Sequence, residues 1–117
     1  MSGPQVPTLQ QDWSSAAWES WGVTVTHVQD SEHKGDDCLV DIELKKEVIV
    51  NNTSTWPIID QKIHPFETIH VGGWRGYNGN DFPTKPTDLG HYRVEVGVFG
   101  RNWVPLYYWN LVYDYTA

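Results

Sequence analysis

The sequence predicts an all-β fold: an antiparallel two-sheet β-sandwich, immunoglobulin-like or jelly-roll-like. Three observations predict it. Several runs rich in Val, Ile, Thr and Tyr alternate apolar and polar residues with a period of two. Clusters of Gly, Pro, Asn and Asp separate those runs. No stretch keeps the 3.6-residue periodicity of a long helix. Six or seven such strands bury their apolar faces best by packing sheet on sheet, with a closed barrel as the main alternative. No internal repeat is present, which disfavours propellers and trefoil-like symmetric lectins.

Taken in order, residues 1–11, with Pro4 and Pro7, read as a flexible N-terminal arm ahead of a single domain, 12–117. Asp12 or Ser14 is placed to cap a helix of one or two turns, with Trp18 and Trp21 on one face and Gly22 ending it. Val23, Val25 and His27 then alternate with Thr24, Thr26 and Val28, which is a strand. Ser31 to Asp37, with Gly35, is a turn. Val40, Ile42 and Leu44 alternate with Asp41 and Glu43, giving a strand with one wet face. Val48–Val50 either continues it or begins another strand after a tight turn. Asn51 to Pro57 is a polar turn region carrying Trp56.

Ile58 to Val71 holds a strand disturbed by Pro65, with Phe66, Thr68 and His70 on one face. Gly72 to Gly90 reads as a long connection. The clearest pattern follows: Tyr92, Val94, Val96 and Val98 alternate with His91, Arg93, Glu95 and Gly97. After a turn at Gly100–Asn102 comes a strand in which Tyr107, Trp109, Leu111, Tyr113 and Tyr115 share a face. The pair reads as a hairpin.

At 117 residues the chain has room for one core, and 39% hydrophobic residues against 20% charged suit a folded domain. The formal charge of −7, with Lys45–Lys46 the only adjacent basic pair, argues against nucleic acid and against anionic membranes. A glycan or other neutral hydroxylated partner fits this balance better, and self-association is compatible with it. Cys38 has no second cysteine to pair with, and Asp36 and Asp37 disfavour a reactive thiolate. No apolar run reaches membrane-spanning length, and Met1 to Gln11 lacks the pattern of a secretory signal. A cytoplasmic or unconventionally secreted protein, or one trimmed of its leader, is expected.

Seven Trp and six Tyr against three Phe favour rings that carry a polar handle, as rims and binding faces require. Structureless loops longer than about 12–15 residues are often binding loops. The best candidate site is therefore Trp74, Arg75, Tyr77, Asn78, Asn80 and Asp81, interleaved with glycines in the 72–90 connection. A sugar ring offers C–H groups that pack on an indole or phenol, and hydroxyls that meet amides, carboxylates and a guanidinium. The competing structural role for these rings is to plug an open end of the fold. Trp103 and Trp56 are further candidates, since turn positions can leave a ring exposed or fold it inward.

No Gly-x-Ser-x-Gly motif occurs, and His27, His33, His64, His70 and His91 lack the helical spacing of a metal site. The expectation is a non-catalytic carbohydrate-binding protein, with no catalytic residue, no cofactor and no metal. Two alternatives remain. One is a protein- or lipid-interaction domain using Trp13, Trp18 and Trp21. The other is a small enzyme whose aromatic pocket holds His70 or a carboxylate such as Asp60, Glu67, Asp81 or Glu95. The run from Val48 through Asn51, Asn52 and Trp56 to Ile58 resembles the strand–turn–strand passage of cellulose-binding and related β-sandwich modules. That resemblance covers about a tenth of the chain and points toward carbohydrate.

Overall fold

The computed structural model describes residues 8–11, 18, 21–26, 37–68, 74–99 and 105–116, with side chains described at 18, 21–25, 39–65, 74–99 and 113–116. Among these residues lie nine strands: β1 (Thr8–Gln11), β2 (Gly22–Thr26), β3 (Asp37–Lys46), β4 (Val48–Val50), β5 (Thr53–Thr55), β6 (Ile58–Thr68), β7 (Trp74–Asn78), β8 (His91–Phe99) and β9 (Pro105–Thr116). A 3-10 turn covers Gly79–Asp81. All pairings are antiparallel. They give a three-stranded sheet β1-β2-β7, a four-stranded sheet β6-β3-β8-β9 and a β4-β5 hairpin. No helix among the described residues is long and apolar enough to cross a membrane.

Alternation in the sequence becomes register in the larger sheet. β3 and β8 set Val40 against Val98, Ile42 against Val96 and Leu44 against Val94. All six are buried, as are Val23, Val25 and Tyr77 from the three-stranded sheet. They join Trp18, Trp21, Phe82, Tyr92 and Tyr113 in one hydrophobic cluster, to which both sheets contribute side chains. Burying each Val, Leu or Ile side chain contributes about 1.5–3 kcal/mol. The side of β3 and β8 away from this cluster carries Asp41, Glu43, Glu95 and Arg93, as the period of two demands.

A tyrosine fastens the two sheets together. The Tyr113 hydroxyl donates to the Gly22 carbonyl at 2.5 Å and accepts from the Gly22 N–H at 3.3 Å. Both bonds are buried where β2 begins, so loss of the phenol oxygen strands two backbone groups away from solvent. Tyr113→Phe should therefore cost about 1–3 kcal/mol, because buried polar groups lose their partner while the ring stays in place. Urea unfolding curves of the two proteins measure this; equal stabilities would show the bond to be redundant.

The hairpin follows from its turn. Asn51 and Asn52 both take positive φ, 52° and 63°, a left-handed pair that asparagine tolerates and that matches the twist of a two-residue β-turn. The Ser54 hydroxyl donates to Glu47 at 2.6 Å and the Thr55 hydroxyl to the Val48 carbonyl at 2.8 Å. Val48–Val50 is thus a separate strand, and Thr53–Thr55, expected as turn, is its partner. Gly90, at φ 156°, sits where a Cβ would come within 2.8 Å of the Lys46 side chain.

Two expectations are corrected. Thr8–Gln11 is not loose arm: it pairs with β2, Leu9 opposite Val25. Its polar composition hides the strand, and the free edge of β2 supplies what propensity does not. Nor is 72–90 structureless, since Trp74–Asn78 forms β7 on the other side of β2. The expected helix at Asp12–Trp21 lies mostly outside the described residues, although the Trp21 N–H donates to the Trp18 carbonyl at 3.2 Å. The Gly100–Asn102 turn also lies outside them. The strands it would connect do pair, with an irregularity that brings Trp109 opposite Val96 but Tyr113 opposite Val94.

Candidate functional site

Because β7 is a strand, it divides the predicted cluster between two faces. Tyr77 stands opposite Val23 and points into the core, 2% exposed, with its ring 4.8 Å from that of His64. Arg75 lies on the same side, its guanidinium 5.4 Å from the centre of the Tyr77 ring. The expectation that Tyr77 serves as a binding platform is therefore corrected. Its alternation with Trp74 and its position opposite a buried valine turn it inward.

The other face carries Trp74, Gly76 and Asn78. Trp74 is 71% exposed. Its ring lies 3.5 Å from where a Cβ on Gly76 would stand, an ordinary contact distance, so the indole lies along the strand beside Gly76. Asn78 is exposed four residues further on. At about 3.3 Å per residue, roughly 13 Å of strand separates the two positions.

Beyond Asn78 the chain turns onto β6. The Asp81 carboxylate accepts from the Asn78 N–H at 3.0 Å, and the Phe82 N–H donates to the Gly79 carbonyl at 3.1 Å. Asp81 is thereby spent in part on its own turn. Lys62 donates to the Asn80 carbonyl at 3.0 Å, and His64 Nε2 lies 2.8 Å from the Asp81 carbonyl. These bonds tie the three-stranded sheet to the edge of the four-stranded one. They also frame a half-open cleft of about 350 Å³, with Trp18 and Phe82 as its apolar wall and Asn80, Lys62, Thr84 and Lys85 around it. A second groove of about 550 Å³ lies across Thr84–Lys85, between Ile59, Asp60, Leu44 and Tyr92.

The remaining candidates divide. Trp56 is half-buried, stacked by Arg93 at 3.9 Å and met edge-on by His91 at 5.2 Å, so its ring braces the base of the hairpin. Trp103 lies outside the described residues, as do Trp13 and His70. Trp18 and Trp21, the contacts expected for a lipid or protein partner, are buried at 8% and 1%.

One constellation was missed from the sequence. On the outer side of the four-stranded sheet, Asp41 and Glu95 are buried at 5% and 8% exposure. Glu43 sits directly opposite Glu95. Lys45 pairs with Glu95 and lies 3.9 Å from Glu43, while the Gln61 amide donates to Asp41 at 2.9 Å. Burial pushes the Glu43 carboxyl up to about 7, helped by its hydrogen bond to Asp41 and the Asp41 charge and opposed by Lys45. Alternation assigned these residues to a solvated face. The one signal in the sequence was the crowding of three acids at cross-strand positions. Among the described residues no group of three His, Cys, Asp or Glu side chains is arranged to hold a metal ion.

No family model, curated protein or solved structure matches the chain.

Proposed function

We propose that the protein is a non-catalytic carbohydrate-binding domain whose platform is the outer face of β7. The observation that carries this reading is the exposure of Trp74 on a strand, with Gly76 beside the ring and Asn78 on the same face. An indole in water keeps its π-face for the C–H patch of a pyranose, and the amide both donates and accepts toward hydroxyls. Asn80 continues the polar track to the cleft. A face some 13 Å long suits an oligosaccharide better than a single ring. The fold in this reading is a two-sheet sandwich, supported by the single cluster to which both larger sheets contribute.

Titrating a panel of neutral oligosaccharides against intrinsic Trp fluorescence tests the proposal. Trp74→Ala should weaken binding by about tenfold or more, the loss of one stacking contact worth about 1.4 kcal/mol. Its melting curve should shift little, because surface changes stay within about 0.5 kcal/mol. A panel that leaves fluorescence unchanged, or a variant that binds as tightly as the parent, overturns the reading.

A second reading, a small enzyme, draws on Glu43. A carboxyl that titrates near neutrality opposite another acid has the proton affinity of a general acid–base. Turnover of activated glycosides that Glu43→Gln abolishes would favour it over simple binding.

A further inference from the structure

β6 ends the four-stranded sheet, and among the described residues no strand pairs with its far edge. Three of its residues are exposed isoleucines: Ile58 at 48%, Ile59 at 50% and Ile63 at 45%. Gln61 stands opposite Glu43, yet its N–H donates to the Asp60 carboxylate at 2.8 Å. The backbone groups of Gln61 thus point away from β3, toward the open edge, and alternation sends those of Ile63 the same way. Pro65 has the same parity, at a position where a missing N–H costs the β3 ladder nothing.

We propose that β6 is a self-association edge, pairing antiparallel with the β6 of a second copy about a two-fold axis at Gln61. The sequence is complementary to itself about that residue. Asp60 of each copy comes opposite Lys62 of the other, so the charge pair forms twice. Ile63 comes opposite Ile59 of the second copy, apolar against apolar, while Ile58 comes opposite His64. Pro57 comes opposite Pro65 and closes the ladder at both ends, leaving residues 58–64 as the paired segment. Moving the axis by one residue sets Asp60 against Asp60 or Lys62 against Lys62, and either repels. The resulting contact is isologous and closed: each copy uses this edge once, and the two four-stranded sheets become one of eight.

The area involved is at the small end of protein interfaces, so association is read at roughly 0.1–1 mM protein. Sedimentation velocity on the full chain tests it. The parent should be a dimer in that range and lose dimer as salt is raised. Asp60→Lys and Lys62→Asp should each weaken self-association by about tenfold or more, since like charges then face one another. An equimolar mixture of the two variants should dimerise again, because position 60 of each then meets an opposite charge at position 62 of the other. That recovery separates a lost interface from a lost fold, which matters because Lys62 also bonds the Asn80 carbonyl. A parent monomeric throughout, single reversals that dimerise like the parent, or a mixture that stays monomeric overturns the proposal. None of these outcomes depends on sugar binding.

Discussion

Replacing Trp21 with Ala should lower the unfolding free energy by about 3–5 kcal/mol, the range for deleting a large buried aromatic. The indole is 1% exposed. It stacks on Tyr113 at 4.6 Å and 14° and lies 4.4 Å from the Trp18 ring, which in turn meets Tyr115 at 5.3 Å. Removing it strips the partner from the ring whose hydroxyl holds Gly22, so a cavity and a loosened sheet-to-sheet tie arise together. For a domain of this size the loss is a large part of the total stability. Equilibrium unfolding in urea, followed by near-ultraviolet circular dichroism, measures it. A change below about 1 kcal/mol would mean that neighbouring rings refill the space. Trp74→Ala is the internal control, since that ring is in water.

The second large effect depends on pH. Glu43 titrates near 7 in the folded protein against 4.5 for the free side chain. Below pH 4.5 it is protonated whether folded or unfolded and does not alter the balance. Between 4.5 and 7 the unfolded chain gives up the proton and the folded chain keeps it, so stability falls as pH rises. Above 7 the full cost is present, as Glu43 and Glu95 then share the Lys45 ammonium beside a buried Asp41. Glu43→Gln keeps the shape and removes the titration. At about 1.4 kcal/mol per pH unit of displacement, reduced by the group's residual contact with water, the variant should gain roughly 2 kcal/mol over the parent at pH 8. At pH 4 the two should differ little. Urea curves at both pH values decide it, and a gain independent of pH would place its origin elsewhere.

The strands that alternate cleanly were legible from the residues: Val40–Leu44 and Tyr92–Val98 lie side by side in one sheet with their apolar residues on the same face, as their periodicity predicts. β1 and β7 were not. Thr8–Gln11 has too few apolar residues to show a period, and β7 carries a glycine at its centre, which imitates a loop. Both are held by hydrogen bonds to β2 rather than by their own propensity. The site inherits this. Reading Trp74 to Asp81 as a loop grouped six side chains on one surface, whereas a strand sends Trp74 and Asn78 one way and Arg75 and Tyr77 the other. The exposure of Trp74 matches what the binding reading needs, and the acids on β3 and β8 were hidden because a period of two states which side a residue takes, never how deep it lies.

The bond between Tyr113 and Gly22 spans 91 residues of chain. A growing polypeptide leaving the ribosome has β2 long before β9, so that tie can close only once β9 has been made. Contacts this distant in sequence slow folding, because a long loop must be ordered before they return anything. Chains that stop short of Tyr113 would leave the Gly22 backbone and the Trp21 ring without their lid, and such fragments should be held by chaperones or degraded rather than accumulate.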